Sequence, residues 1–295
     1  MNIWKESVYD KLFNWIVTFV LLLVGVLTLY PFYYLLVYSL NDPIDAMRGD
    51  IYFWPRIFSI IAYKMVWNNN NLSQAAFISF ARTVTGTSLM IFMTSMLSYV
   101  LSRPHLIWRR FFNLLFVITM YIGSGIIPWY LTMVTYGFKN TFLVYIIPGM
   151  IGIYNMILIR TYMQQLGNEL WESAQMDGAN EFLIFVRIIL PLCLPVLAVV
   201  GIMGAVGQWN AWFDAAVFNG ANDNLKPLQV ILINMLKRTA MSSSGDAPPS
   251  EATAALTPEA MRASVTMIAT APIIMVYPFF QRYFAQGIML GAVKG

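Results

Sequence analysis

Six long uncharged segments, dominated by apolar side chains, are separated by charged residues along the chain. They give the predicted spans 12–40, 83–102, 111–136, 141–159, 188–213 and 263–281. Each is close to or above the roughly 20 residues that an α-helix needs to cross a bilayer. The apolar residues run continuously and do not alternate with polar ones, as they would in the strands of a membrane barrel. The sequence therefore predicts an all-α, polytopic membrane protein with six transmembrane helices.

The short loop between the second and third spans predicts the orientation of the chain. It carries Arg103, Arg109 and Arg110, and short loops rich in Lys and Arg stay on the cytoplasmic side. Both termini are then cytoplasmic. The first span is longer than the roughly 7–15 apolar residues of a signal peptide, so we expect it to be retained as a helix.

Composition narrows the class of protein further. Hydrophobic residues make up 59% of the 295 residues and charged residues 11%, against roughly 25% charged residues in a soluble domain. This excludes a soluble enzyme, a disordered chain and a nucleic-acid binder. His105 and Cys193 are the only residues of their types, so the sequence offers no imidazole and thiolate set for a metal. No catalytic or metal-binding residue is predicted.

The segment between the fourth and fifth spans has the most distinctive pattern of polar residues. A helix is predicted from about Asn168 to Gly178, because glycine tolerates the left-handed conformation that ends a helix. A second helix is predicted from Asn180, a suitable N-cap, to Pro191. The segment also holds four of the 14 acidic residues: Glu169, Glu172, Asp177 and Glu181. A short helix outside the membrane needs a protein groove for its apolar residues.

This segment resembles the EAA loop of the permeases of ABC importers. The resemblance rests on Glu172-Ser173-Ala174, three residues, Gly178, nine residues, then Ile188, one residue and Leu190-Pro191. Ser173 stands where the family pattern has alanine. The C-terminal segments 277–284 and 291–295 are similar to sugar-importer permeases of the maltose type. Together with 207–213, they resemble most a branch for complex oligosaccharides, including those of plant or algal polysaccharides.

The resemblance implies a single ABC importer transmembrane domain over 1–295, with a cytoplasmic coupling helix in the loop 168–187. It also implies four partners in the bacterial cytoplasmic (inner) membrane system: a second homologous permease subunit, giving a heterodimer, two ABC ATPase subunits and an extracytoplasmic sugar-binding protein. The residues implied to couple the permease to the ATPase are Glu172, Ser173, Ala174, Asp177, Gly178, Ile188, Leu190 and Pro191. The implied C-terminal tail contacts are Gly291, Lys294 and Gly295, although a frayed chain end is the alternative.

ATP hydrolysis is expected on the partner subunits. The chain contains no G-x-x-x-x-G-K-[ST] phosphate loop, and this motif carries nucleotide binding in ATPases. We therefore expect no cofactor in this chain, with ATP and Mg on the partner ATPase subunits.

The end of the fifth span supplies candidate pathway residues. Gln208, Trp209, Asn210 and Trp212 are expected to line the substrate pathway, because polar residues inside a membrane often mark one and indole faces suit sugar rings. The alternative is an aromatic belt at the outer surface, where Trp is common.

The function expected is import of oligosaccharides, driven by partner ATPases and dependent on a binding protein. Three basic residues are expected on the outer side and would attract a uronate-containing sugar: Lys226, Lys237 and Arg238. The alternative is that they are ordinary charged residues of a solvent-exposed loop. The alternative is an ion-coupled secondary sugar transporter, which would need ionisable residues deep in the spans. The six uncharged segments contain none.

Overall fold

The computed structural model describes residues 8–46, 48–68, 72–243 and 258–292. These residues are almost entirely helical and form no strand, with one isolated antiparallel bridge between Asn41 and Phe58. The all-α prediction is confirmed. The α-helices are α1 Val8–Ser39, α2 Pro43–Ala46, α3 Ile61–Asn68, α4 Leu72–Ser102, α5 Arg109–Tyr121, α6 Ile126–Thr135, α7 Ile153–Gln165, α8 Glu169–Met176, α9 Glu181–Ile184, α10 Leu190–Leu192, α11 Leu194–Asn210, α12 Phe213–Phe218, α13 Leu228–Ser243 and α14 Pro258–Ala292.

Two helices in the described part of the chain are long and apolar enough to cross a membrane by themselves. They are Tyr9–Ser39 within α1 and the whole of α4. Two bent pairs also qualify if each pair forms one span: α5 with α6, and Glu181–Leu192 with α11. The structure thus gives two to four candidate spans, and the count of six stays a prediction.

Proline and glycine account for the two bends. The pair Glu181–Leu192 and α11 bends by 82° between Pro191 and Pro195, where each ring removes a backbone donor and clashes with the preceding turn. The pair α5 and α6 bends by 115° just before Gly125, whose φ of 77° is readily reached only by glycine.

The predicted fourth span, 141–159, does not form one continuous helix. A 3₁₀ turn covers Phe142–Tyr145, residues 146–152 are not helical, and α7 begins only at Ile153. Non-helical backbone at membrane depth is tolerated where it is buried in protein or lines a cavity. The residues of this segment do line a cavity, which is described below.

The contacts divide the chain into two units, Met1–Asn70 with Leu232–Thr270, and Asn71–Ile231 with Ala271–Gly295. In the first unit, Asn41 donates to Asp45 Oδ2 at 3.0 Å and Arg56 forms an ion pair with the same oxygen at 3.0 Å. The hydrogen bond from Asn41, assisted by Arg56, lowers the pKa of the Asp45 carboxyl. These contacts fix the turn that follows α1.

In the second unit, α4 packs against both α7 and α11. A buried core joins these helices to the loop 168–187; its members are Met90, Tyr99, Ile159, Met163, Ala174, Ile184, Phe185, Ile189, Cys193, Leu197 and Val200. The same three helices therefore support both regions that carry candidate functional residues.

Candidate functional site

The loop 168–187 forms the helix, turn and helix that its sequence predicts. At the end of α8, Ala179 N–H donates to Ala174 O at 3.0 Å and Gly178 N–H donates to Gln175 O at 2.9 Å. This pair of bonds is the Schellman motif, which requires a left-handed residue after the helix. Gly178 supplies it with a φ of 80°.

Asn180 begins the next helix as predicted. Its side-chain Oδ1 accepts a hydrogen bond from Leu183 N–H at 2.8 Å, which satisfies one of the free donors at a helix N-terminus. From Phe185 to Ile189 the helix continues as one π-helical turn before Leu190.

One face of α8 is anchored to the core. Ala174 is buried in the core cluster, and Trp171 packs against it. The carboxylate of Glu181 accepts hydrogen bonds from Tyr99 Oη at 2.6 Å, Trp171 Nε1 at 3.1 Å and Gln175 Nε2 at 3.2 Å. Glu181 thereby ties α8 to the C-terminal end of α4.

Aromatic and cationic side chains extend this anchor. The Arg103 guanidinium lies 4.4 Å from the centre of the Tyr99 ring and 5.6 Å from that of Trp171, within the range of cation–π contact. His105 stacks on Trp171 at 5.9 Å. Burial lowers the pKa of Arg103. These contacts hold α8 against the loop that follows α4.

The other face of α8 is exposed. Glu172, Ser173 and Asp177 are all exposed, and the adjacent Met176 is 88% exposed. This face therefore presents two carboxylates and one apolar side chain to the surroundings. Of the other predicted coupling residues, Ala174 is buried, Ile188 and Leu190 are half-buried, and Gly178 and Pro191 are exposed.

The C-terminal tail lies mostly beyond what the structure describes. Gly291 is in the last turns of α14, while Lys294 and Gly295 lie outside the described residues. Their implied contact with the ATPase stays a prediction.

The four predicted pathway residues lie in different environments. Gln208 lines a polar cavity, whereas Trp209 lines a separate apolar cavity of about 400 Å³. Asn210 accepts a hydrogen bond from Gln229 at 3.3 Å, and the Trp212 ring contacts Phe213. The structure therefore does not bring the four together, and their shared role stays a prediction.

The cavity that contains Gln208 measures about 300 Å³. Most of its accessible lining is apolar, and we call it the polar cavity only because charged and amide side chains are among its lining residues. It lies among α4, α6, α7, α11 and the non-helical segment 146–152. Its polar side chains include Arg82, Thr87, Asn155, Gln208 and Asp214. Five glycines, which have no side chain to fill the space, also line it: Gly86, Gly149, Gly152, Gly204 and Gly207.

Arg82 is the principal candidate residue that sequence reasoning did not identify. It immediately precedes the predicted second span, and the structure places it inside α4 with 1% of its surface exposed. Its Nε and Nη2 donate to Gln208 Oε1 at 3.2 and 3.1 Å, its Nη1 to Ala211 O at 3.1 Å, and its Nη2 to Asp214 Oδ2 at 2.6 Å. Its Cζ lies 4.4 Å from the centre of the Tyr145 ring.

Arg82 also bears on one argument from the sequence. The absence of charge in the six predicted spans argues against an ion-coupled transporter, and the structure adds an ion pair just outside those segments, between the buried Arg82 of α4 and the partly exposed Asp214 of α12. No local signal predicted this pair: the apolar pattern continues on both sides of Arg82 from 72 to 102 with no other charge, and a single charge within it is equally consistent with the end or the middle of a span.

The basic residues that the sequence predicts on the outer side differ in what surrounds them. Lys226 forms an ion pair with Asp223 at 2.5 Å, and this contact lowers the pKa of Asp223. Lys237 is exposed, while the side chain of Arg238 lies outside the described part. Across the described residues, no group of three or more His, Cys, Asp or Glu side chains could hold a metal ion.

The described residues are almost entirely helical and include two to four candidate membrane spans, which is the architecture expected of a membrane permease. Residues 3–290 match the family described as the binding-protein-dependent transport system inner membrane component. The chain belongs to this family of ABC transporter permeases, which includes the EAA motif and operates with a partner permease, an ATPase and a substrate-binding protein. Permease subunits of ABC importers carry no cofactor themselves. Family membership does not favour the ion-coupled alternative.

Curated relatives and a solved structure agree with this assignment. The chain is 35% identical to protein LplC of Bacillus subtilis, over 92% of this chain and 91% of that protein. It is 32% identical to the polygalacturonan/rhamnogalacturonan transport system permease protein YtcP of the same organism, over 97% and 99%.

The structural match is to a bacterial ABC transporter involved in the import of the acidic polysaccharide alginate. The TM-score is 0.83 at 26% identity, and the match covers 95% of this chain and 99% of that one. YtcP is named as a polysaccharide transport permease and the matched structure as a polysaccharide importer. With the family match, this makes the chain the permease of an ABC sugar or oligosaccharide importer.

Proposed function

We propose that this chain imports uronate-containing oligosaccharides as one of two permease subunits in an ATP-driven, binding-protein-dependent transporter. The support for an acidic substrate is the combination of two similarities: YtcP is named for polygalacturonan and rhamnogalacturonan, and the matched structure for alginate. All of these polysaccharides contain uronic acids.

The complex that we propose contains a second, homologous permease subunit, two ATPase subunits and an extracytoplasmic sugar-binding protein. Both termini and the loop 168–187 lie in the cytoplasm in this arrangement. The support for this orientation is the cluster of arginines at 103–110, which short cytoplasmic loops favour.

The exposed face of α8 docks on the ATPase in this proposal. Glu172, Ser173 and Asp177 are on the protein surface, whereas Trp171 and Ala174 hold the helix to α4 and the core. A rigid movement of the ATPase would therefore pass through α8 to α4 and α11. Rigid-body movement of packed elements is an established way to switch between two conformations, which here would open the pathway alternately outside and inside.

Substrate class is tested with the reconstituted complex and two matched trisaccharides, one of galacturonate and one of arabinose. We expect the galacturonate trisaccharide, presented with the binding protein, to stimulate ATP hydrolysis and to accumulate in vesicles. Stimulation by the arabinose trisaccharide alone would remove the uronate proposal and leave the sugar importer in place. No ATP-dependent accumulation of either sugar or of longer oligosaccharides would contradict the import function itself.

A further inference from the structure

A cleft between the start of α5 and the end of α7 is lined by a cluster of arginines. It measures about 720 Å³, and most of its accessible lining is polar. Arg109 and Arg110 line it from α5, Arg160 lines it from α7, and the amide side chains of Asn113 and Gln164 also contribute. None of the described residues that line this arginine cleft is acidic. The cleft therefore collects positive charge without a countercharge from its own lining.

The guanidinium groups of these arginines keep free donors. Arg109 Nε donates to Leu101 O at 3.2 Å, and Arg160 Nη1 donates to Asn113 Oδ1. Arg110 is exposed and makes no hydrogen bond or ion pair with any described residue. Burial and, after it, the positive charge of Arg109 lower the pKa of Arg160. Because like charges disfavour one another, an anion in the cleft would stabilise all three side chains.

The cleft adjoins a helix with an apolar surface. After Arg110, α5 has no charged residue, none of its residues is buried, and with α6 it forms a candidate span. Trp108 lines the cleft and is 71% exposed, while Phe111 and Leu114 of α5 are 53% and 59% exposed. Tryptophan and basic residues are typical of the ends of membrane spans. A ligand that suits both surroundings has an anionic end and an apolar end.

We propose that the arginine cleft binds the phosphate head group of an anionic phospholipid, with Arg109, Arg110 and Arg160 donating to the phosphate oxygens. A guanidinium presents paired donors that match phosphate oxygens, and basic pockets between membrane helices bind anionic head groups. The volume of about 720 Å³ lies within the roughly 300–1,000 Å³ of small-molecule pockets, which leaves room for the glycerol beside the phosphate.

This lipid site goes beyond the proposed function, because it does not depend on which sugar is imported. Its lining residues differ from those of the polar cavity. The orientation proposed above places it in the cytoplasmic leaflet.

Arg110→Gln is the test substitution, because it removes a charge without breaking a hydrogen bond to a described residue. Arg187→Gln is the matched control for lipid binding: Arg187 is also exposed and lies on the same predicted side of the membrane, but it does not line the cleft. The complete transporter is placed in nanodiscs of phosphatidylcholine with increasing amounts of phosphatidylglycerol. Hydrogen exchange of the backbone amides across 104–115 reports the occupation of the cleft.

In wild type and in Arg187→Gln, we expect phosphatidylglycerol to slow hydrogen exchange across 104–115. In Arg110→Gln, the amount of phosphatidylglycerol that gives half of this protection should rise about fivefold, which corresponds to the roughly 1 kcal/mol that one basic residue contributes near an anionic surface. Arg110→Lys, which keeps the charge but not the paired donors, should lie between the two. Inorganic phosphate and glycerophosphoglycerol, which lack acyl chains, should give no protection in phosphatidylcholine nanodiscs.

Three results would overturn the lipid site: no effect of phosphatidylglycerol on this segment in wild type, equal dependence on it in Arg110→Gln and Arg187→Gln, or full protection by inorganic phosphate alone. Weaker retention of the ATPase in Arg110→Gln, with an unchanged lipid dependence, would overturn it in favour of a protein contact. If Arg110→Gln does not assemble, wild type and Arg110→Lys carry the test. A complex that transports no sugar would contradict the proposed function and not this site, since no measurement here involves transport.

Discussion

The loop 168–187 and the polar cavity differ in how far apart along the chain their contacts lie. In the loop, the bonds that end α8 and begin the next helix join residues three to five positions apart, such as Ala174 and Ala179. In the cavity, Arg82 and Asp214 lie 132 positions apart. A local pattern can be read from one sequence, whereas a pairing over such a distance depends on how α4, α11 and α12 pack.

The largest expected effect comes from removing the ion pair that lines the polar cavity. Asp214→Ala leaves the guanidinium of Arg82 buried with its countercharge removed, and loss of one partner from a buried pair costs about 3–5 kcal/mol. Because the side chain of Asp214 is 19% exposed, we expect the loss of stability to lie at the lower end of this range. We expect a lower thermal unfolding temperature of the purified complex in detergent.

The control for that change is Asp223→Ala, which removes the partner of Lys226 in a pair whose carboxylate is 82% exposed. Exposed pairs contribute little because water screens them. Equal unfolding temperatures for Asp214→Ala and Asp223→Ala would show that the Arg82 pair does not stabilise the second unit.

The second largest effect is expected from a substitution in the loop 168–187, at the turn that ends α8. Gly178 has a φ of 80°, and a side chain in the left-handed region costs roughly 1–2 kcal/mol. We expect Gly178→Leu to leave the chain in the membrane but to lower sugar uptake and substrate-stimulated ATP hydrolysis about tenfold, because the strained turn would shift the exposed face of α8 and a loss of about 1.4 kcal/mol in its docking energy is a factor of ten. Glu172→Ala, which removes an exposed charge from α8, should lower both in the same direction.

Gly167→Leu is the matched control for backbone strain. Gly167 has a φ of 77°, and an added Cβ would meet no atom within 4 Å there or at Gly178. Both substitutions therefore impose similar strain, but Gly167 precedes α8, whereas Gly178 follows it. If Gly167→Leu impairs coupling as much as Gly178→Leu does, strain and not docking explains the loss. Normal uptake in Gly178→Leu and Glu172→Ala would contradict the coupling assignment.

The features that could be predicted from the sequence are those whose contacts are local along the chain, as in the loop 168–187, and not those whose contacts are distant, as in the cavity. The helix ending at Gly178 and the cap at Asn180 were predictable because glycine and asparagine act within a few residues of themselves. The burial of Arg82 was not, since a charge between apolar runs looks the same at the end of a span as in its middle. Only the tertiary placement of Gln208 and Asp214 shows which one it is.

The helix breaks were predictable only in part. Pro191 and Pro195 indicated a bend, but not that it would reach 82°. The non-helical backbone at 146–152 has a continuously apolar sequence apart from its glycines and proline, and apolar sequence alone does not separate a helix from an irregular segment that lines a cavity.

A smaller effect tests the connection between the two regions. Glu181 accepts hydrogen bonds from Tyr99 of α4 and from Trp171 and Gln175 of α8. Glu181→Gln keeps the shape but removes the charge, and hydrogen bonds to a charged group contribute about 1.5–3 kcal/mol when buried. Because Glu181 is exposed, we expect the loss of stabilising free energy to lie at or below the low end of this range. It should be measurable as faster hydrogen exchange of the backbone amides across α8.

Glu169→Gln is the control for Glu181→Gln, since Glu169 is also exposed and lies in the first turn of α8. In Glu169→Gln, hydrogen exchange should change little beyond the first turn of α8. Equal acceleration in both variants would mean that Glu181 does not anchor α8 to α4.

The smallest expected effect concerns whether the loop alone carries coupling. Deletion of residues 288–295 removes the last turns of α14 and the residues implied to reach the ATPase, Gly291, Lys294 and Gly295. Individual surface contacts contribute at most about 0.5 kcal/mol, so we expect the affinity for the ATPase to fall only about twofold, measured by co-purification at graded ATPase concentrations. A larger loss than Gly178→Leu causes would move the main ATPase contact from α8 to the tail. Unchanged association and uptake would leave the loop 168–187 as the single coupling element that this chain contributes.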